Sequence, residues 1–246
     1  MSRYDFNAQR LFVEAELAEG RSLACTPAQA NYLRNVLRLK AGAAILVFNG
    51  RDGEWRAELA EADRRATALI VRAQTRAQEG GPDIDYLFAP LKRARLDYMV
   101  EKATEMGVAR LRPVLTRRTV AERVNAERMR AHAIEAAEQC GILRLPEIRA
   151  PEKLEAVVAA WNTARPLIFC DEDGAETCPF TALAMIEPGP VAVLVGPEGG
   201  FDPAERELLA SRPFVTRISL GPRILRADTA AVAALALVNA VLGDWR

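Results

Sequence analysis

Apolar positions along the chain follow two regimes, and the change falls near residue 76. From Arg10 to about Gln74 they come in short runs: Arg10–Val13, Ser22–Cys25, Ala44–Phe48, Glu54–Leu59 and Ala66–Arg72. Runs of this length, alternating or wholly apolar and bounded by turn residues, predict strands, and Asn49-Gly50 with Asp52-Gly53 supplies the turn between two of them. Together they predict a small barrel. One helix interrupts the strands. Thr26 is placed to cap it and Pro27 to occupy its first position, and the pattern carries it through Leu39. Leu33, Val36 and Leu37 then share an apolar face, while Arg34 and Arg38 lie one turn apart on another.

The segment Thr75–Pro82 is polar and ends in Gly80-Gly81-Pro82, which suits a linker, so the chain divides into 1–76 and 77–246. Beyond it strand-like and helix-like segments alternate. Strands are expected at Asp85–Leu91, Leu111–Leu115, Pro166–Cys170, Val191–Val195 and Val215–Leu220. Helices are expected at Arg95–Met106, Asn125–Cys140, Lys153–Trp161, Thr181–Ile186, Pro203–Leu209 and Thr229–Leu242. This alternation predicts an α/β domain with a largely parallel sheet. On the helix from Arg95, Leu96, Met99, Val100, Ala103 and Met106 face the core, Lys102 falls on the polar side, and Asp97 and Glu101 are set to pair with neighbouring bases. The last helix is apolar almost all round and rich in alanine. It must be buried on more than one side, either under the sheet or against another helix.

A chain of 246 residues that is 50% hydrophobic can build one large or two modest cores. No apolar stretch approaches the roughly 20 residues that span a bilayer, and Met1–Phe6 lacks the apolar core of a signal peptide. A cytoplasmic location without membrane association is expected. Cys25, Cys140, Cys170 and Cys178 are widely spaced and form no C-x-x-C pair, so neither a zinc site nor a disulfide framework is expected. The chain has a single histidine, His132, expected at the surface, and no G-x-S-x-G, so hydrolase triads and H-E-x-x-H zinc chemistry are unsupported. The formal net charge of zero argues against a nucleic-acid partner. Its distribution argues the other way, because Arg110–Arg149 holds nine arginines against five glutamates and predicts a basic face for phosphates.

The chemistry concentrates in two glycine-bearing loops, Leu194–Phe201 and Leu220–Ala230. Each follows an apolar run and each opens into a helix. Glycines let main-chain groups approach a ligand, and a helix start offers unpaired N–H groups, so two such loops on neighbouring strands can enclose a nucleoside-sized molecule. Phe201-Asp202 after Gly200 rules out a P-loop, and the spacing of Gly196, Gly199 and Gly200 does not fit G-x-G-x-x-G.

These loops, with Arg10–Val13, Tyr32–Gly42, Lys92 and Arg95–Gly107, and Glu138–Gly141, give the chain its resemblance to the SPOUT-class RNA methyltransferases. Within that class it resembles the bacterial enzymes that methylate N3 of a uridine in small-subunit (16S) ribosomal RNA. It departs from their pattern at Ala227-Asp228-Thr229-Ala230, where the family carries Thr-Glu-Thr-Ala, and at Ile142, where the family carries Arg. The resemblance implies a PUA-like β-barrel domain for RNA binding, followed by a SPOUT-type parallel α/β domain tied in a trefoil knot. It also implies a homodimer, S-adenosylmethionine as cofactor without a metal, and 16S rRNA or the small ribosomal subunit as partner.

By the same resemblance, backbone atoms around Leu220, Ile224 and Leu225 read adenine, while Gly196, Gly199 and Gly200 leave room for the ribose and methionine parts. Leu194, Pro197, Gly221, Thr229 and Ala230 complete the cofactor set, and Arg34, Arg38, Lys92, Arg95, Arg118 and Gln139 form the RNA set. The donor is already activated, so positioning and removal of the N3 proton remain. Arg226 is the candidate to stabilise charge on the uracil, and Glu198 and Asp228 are the nearest carboxylates. Each carboxylate also has a structural reading: Asp228 as a helix cap, Glu198 as a brace of its own loop. Two alternatives stand beside the leading one: a SPOUT enzyme acting on another RNA nucleotide, and a non-catalytic RNA-binding assembly factor.

Overall fold

The computed structural model describes residues 8–60, 67–121, 123–171 and 178–245. Met1–Phe6, Ala66 at the head of a predicted strand and Glu122 of the arginine-rich segment lie outside the described residues. The chain forms two compact units. The first joins Met1–Glu79 to Ala137–Arg144, and the second joins Gly80–Ala136 to Leu145–Arg246. A division at 76/77 therefore falls just short of the change of unit, and the first unit recruits a later segment that the linear reading assigns to the second domain.

In the first unit, β1 (Arg10–Phe12), β2 (Ser22–Ala24), β3 (Ala44–Phe48), β4 (Glu54–Leu59) and β5 (Ala68–Arg76) form a curled sheet in the order β1-β3-β4-β5-β2. Only β1 and β3 pair in parallel. Leu11, Leu23, Leu33, Val47, Leu69 and Val71 fill its interior. A buried ion triad anchors one side: Arg10 Nε donates to Glu54 Oε2 at 2.9 Å, and Arg76 Nη2 donates to the same oxygen at 3.0 Å. Arg76 also reaches Gly141 O at 2.7 Å, and the Phe12 N–H donates to Glu138 Oε1 at 2.8 Å, which accounts for the recruitment of 137–144.

The helix expected from Thr26 to Leu39 is much shorter. Thr26 and Gln29 form a reciprocal capping box and Pro27 takes the first turn of α1 (Pro27–Asn31), as the sequence predicts. The chain then widens into a π-type turn over Tyr32–Val36, with Leu37 N–H donating to Tyr32 O at 2.9 Å, and Arg38 ends it in the left-handed region at φ +55°. The wider turn explains the residue that strays. Leu33 stays buried and Leu37 packs against the barrel core, but Val36, expected on their face, is 61% exposed.

The second unit holds β6 (Ile84–Phe88), α2 (Arg93–Glu105), β7 (Arg110–Leu115), α3 (Ala126–Cys140), β8 (Glu147–Ile148), β9 (Glu152–Lys153) and α4 (Leu154–Ala159). It continues with β10 (Leu167–Cys170), α5 (Pro179–Ala184), β11 (Val191–Val195), α6 (Pro203–Ala210), β12 (Val215–Ile218) and α7 (Ala227–Val241). The last residues of α3 belong to the first unit. The sheet runs β12-β10-β11-β6-β7-β8, and its pairings are all parallel. Its central strands are apolar without alternation because both faces are covered. On one face Tyr86, Val193, Met99 and Leu235 share a core, and on the other Leu87, Leu194, Phe169 and Leu209 share a second.

At the amino ends of the strands, Arg110 pairs with Asp83 and Asp85, Arg112 Nη1 lies 3.3 Å from Asp85 Oδ2, and Arg165 Nη2 donates to Asp83 Oδ2 at 2.9 Å. On α7, Ala230, Ala231, Ala234, Leu235 and Val238 are buried. Its other side, Ala233, Ala236, Leu237 and Ala240, forms with Pro179, Phe180 and Trp245 an open apolar groove. As expected, α7 is covered on more than one side, by α2, α5 and β11, and only the side that lines this groove is left open. No helix among them is long and apolar enough to cross a membrane.

Candidate active site

The carboxyl ends of three adjacent parallel strands, β10, β11 and β12, converge on a cleft with about 600 Å³ of space, open to solvent. Open α/β sheets bind ligands at this end. The loop after β11 is held rigidly. A Cβ on Gly196 would come within 2.4 Å of the Phe201 ring, which itself stands edge-on to Phe169 with centroids 4.9 Å apart. Gly200 turns back with φ +68°, donating its N–H to Pro197 O at 2.9 Å, and Asp202 then caps α6 in a box with Glu205. The loop after β12 turns at Gly221, φ +100°, where an added Cβ would meet open space.

Gly196, Pro197, Gly200, Leu220, Gly221, Ile224, Leu225 and Ala230 are brought together as the wall of this cleft. Three expected cofactor residues are not. Leu194 is fully buried in the core beside Phe169 and Leu209, because the alternation along β11 turns it into the layer opposite Val193 and Val195. Gly199 faces the Arg118 side chain, and Thr229 is exposed in the first turn of α7.

Val195, Phe201 and Arg223 of the two loops also line the cleft, and so do Cys170, Asp171, Arg206 and Ser219, which lie outside both loops and were not foreseen. The position of Cys170-Asp171 directly after an apolar strand was the available signal. Asp171 is buried and takes two bonds from Arg217, at 3.1 and 2.7 Å, with Arg206 Nε 3.7 Å away. Burial pushes the Cys170 thiol up to about 12, so it stays protonated and is no nucleophile.

The remaining site candidates have distinct surroundings. Arg226 is exposed and is itself the N-cap residue of α7. Asp228 is therefore not the cap; it sits in the first turn, where its Oδ1 accepts the Thr229 N–H at 2.9 Å. Glu198 does not line the cleft and is ion-paired with Arg95. Arg118 Nη1 donates to Gly199 O at 2.8 Å, and Lys92 is exposed at the N-cap of α2. Arg34, Arg38 and Gln139 belong to the first unit; Arg34 Nε donates to Thr67 Oγ1 at 2.7 Å, while Arg38 and Gln139 are exposed.

Two expectations need correction. The arginine-rich segment is no uninterrupted basic face, since Arg110, Arg112, Arg117, Arg128 and Arg149 pair with Asp85, Glu152, Asp202, Asp97 and Glu147. Asp85, Asp97, Glu152 and Asp202 all lie outside Arg110–Arg149 in the sequence, so the composition of that stretch overstates its free charge. Nor is His132 a free surface residue. It is partly buried between α3 and α2, with Nδ1 2.7 Å from Glu101 Oε1 and Nε2 3.4 Å from Asp97 Oδ1. The hydrogen bond from Arg128 holds the Asp97 carboxyl below its ordinary value.

Comparison with known proteins decides the family. A model described as an RNA methyltransferase domain matches residues 79–239, and an RNA methyltransferase PUA domain matches residues 26–71. The chain belongs to this RNA methyltransferase family. It is 30% identical over 232 residues to the ribosomal RNA small subunit methyltransferase E of Rickettsia conorii, covering 94% of both chains. It is 31% identical over 240 residues to the protein of the same name from Synechocystis sp., covering 96% of this chain and 78% of that one. A Legionella pneumophila methyltransferase solved with its bound cofactor S-adenosylmethionine superposes with a TM-score of 0.83 at 27% identity, covering 97% and 99% of the two chains.

Within this family the cleft suits a nucleoside-bearing cofactor. Ile224 is 99% exposed at the rim beside Leu220 and Leu225, an apolar surface left to a ligand to cover. The glycine loops offer backbone rather than side chains, as recognition of a planar base edge requires.

Proposed function

We propose that this protein is an S-adenosylmethionine-dependent methyltransferase of small-subunit ribosomal RNA, acting on N3 of a uridine in the cytoplasm. The observation that carries the reading is the cleft itself, built from two glycine loops at the carboxyl ends of adjacent parallel strands in a chain of this family. When bound, the cofactor supplies an activated methyl group. The chain's task is to hold, orient and deprotonate. Main-chain groups of the loop at Leu220–Leu225 would orient the adenine, with Ile224 and Leu225 as its apolar cover; Gly221, where an added Cβ meets open space, would leave room for the rest of the molecule, while Gly200 turns the other loop back and Gly196 lets it close on the Phe201 ring. Arg226, exposed beside the cleft loop, stabilises the negative charge that builds on uracil as N3 loses its proton. With Glu198 engaged by Arg95, Asp228 is the candidate carboxylate for receiving that proton.

The open groove along α7 supports a homodimer. Phe180, at 53%, and Trp245, at 55%, are large apolar side chains exposed beside alanines that permit close approach of another helix. Sedimentation analysis should then give a dimer that Leu237→Glu converts to monomer. The test of function is mass-spectrometric mapping of 16S rRNA from cells lacking the protein, followed by treatment of that RNA with purified enzyme and cofactor. Loss of one methyluridine and its restoration in vitro is the expected result. An unchanged rRNA, with methyl transfer to another RNA, would move the activity to a different target.

A further inference from the structure

The amino end of α2 carries Lys92, Arg93 and Arg95, with no acidic residue in its first turn. Cations there oppose the helix dipole, so they do not serve the helix. Arg95 is instead paired with Glu198, their side chains 39% and 50% exposed, and Arg118 holds the carbonyl of the next residue, Gly199. Two adjacent residues of the cleft loop are thus each held by a cation from another part of the unit. A half-exposed ion pair is worth little in water. A guanidinium that trades it for a phosphate keeps a charge-assisted bond and releases the counterions of the RNA.

We infer that Glu198 is a positioning residue that stands in for an RNA phosphate, occupying Arg95 until RNA displaces it. The inference rests on the proposed RNA substrate. Its consequence is specific. The carboxylate that RNA displaces belongs to the loop whose Gly196, Pro197 and Gly200 line the cofactor cleft, so engagement of RNA is felt by the loop, and by linkage cofactor occupancy is felt by RNA.

A double-mutant cycle on RNA binding tests this, using full-length protein, purified 16S rRNA and no cofactor at low salt. Glu198→Gln should tighten binding about two- to five-fold, the worth of one exposed ion pair, with the gain shrinking as salt rises. Glu198→Asp should behave as wild type. In an Arg95→Ala background Glu198→Gln should give no gain, because no pair remains to break. An equal gain in both backgrounds would mean bulk charge alone and overturn the inference while leaving the proposed function intact, and so would an absent gain or a loss. Failure of the wild-type protein to bind 16S rRNA at all would overturn the proposed substrate and the inference with it.

Discussion

At the amino ends of β6, β7 and β10, Asp83 and Asp85 are gripped by Arg110, Arg112 and Arg165, while at the carboxyl ends of β10, β11 and β12 the strands give way to glycine turns around a cleft. One end spends its polar groups on each other. The other leaves backbone and apolar surface for something else, with the Ile224 side chain standing in solvent. Both ends belong to one parallel sheet and β10 runs from one to the other, so the cross-linked end can hold the sheet in register while the open end adapts to a ligand. The lesson is a division of labour along the strand direction, which substitutions at either end can separate.

The largest effect should come from the closed end. Asp85 is buried and serves three arginines; Asp83 still engages Arg110 and Arg165 and Glu152 still engages Arg112, so Asp85→Ala should cost about 3 kcal/mol, the low end for breaking a buried ion pair. Denaturant unfolding measures this, and the protein that remains folded should keep its affinity for S-adenosylmethionine within about two-fold, below the resolution of one exposed contact. Loss of affinity at wild-type stability would erase the division.

The open end should respond in the opposite sense. Arg226→Ala should slow single-turnover methylation of saturating RNA by about a hundredfold, as for loss of one electrostatic stabiliser, with stability and cofactor affinity little changed. Equal losses of affinity and rate would make Arg226 a clamp of the loop instead. Next in size is a contrast between two neighbouring glycines. Gly196→Ala forces the packed Phe201 ring to move and should weaken cofactor binding about tenfold by titration calorimetry, an overpacking cost of about 1.4 kcal/mol. Gly199→Ala meets only ordinary contact with Arg118 and should change binding less than two-fold.

The smallest effect is a pH dependence of the closed end. Burial raises the Asp83 carboxyl, but bonds from Arg165 and the charges of Arg165 and Arg110 outweigh it and leave the value below the ordinary one. A depressed native value adds stability that is present above the unfolded value of about 3.9 and is lost as pH falls through the lower native one. Unfolding titrations of the wild type and of Asp83→Asn should therefore converge on acidification.

Local signals explain what the sequence disclosed. Thr26-Pro27, Asn49-Gly50, the apolar Tyr86–Phe88 of β6 and the unbroken apolar run of β11 each act within a few residues, and the elements they predict are present. The two glycine loops were legible for the same reason, since a turn that must approach a ligand writes itself in glycine. What escaped depends on partners far along the chain. The basic segment loses its free charge to Asp85, Asp97 and Asp202, and Asp171 joins the cleft only because β10 lies between β11 and β12. The π-type turn after Asn31, which keeps Leu33 and Leu37 on the barrel core and turns Val36 outward, is a departure that helical periodicity alone cannot anticipate.

The recruitment of Ala137–Arg144 into the first unit bears on how the protein is made. A ribosome delivers the barrel strands first, yet the acceptor for the Phe12 amide and a carbonyl that holds Arg76 are encoded more than fifty residues later. The nascent barrel must wait, with those groups hydrated, until β6, α2, β7 and most of α3 have emerged. Completion of the N-terminal module is thereby timed by synthesis of the domain that follows it, and a fragment ending at Glu79 would be released with its last contacts unmade.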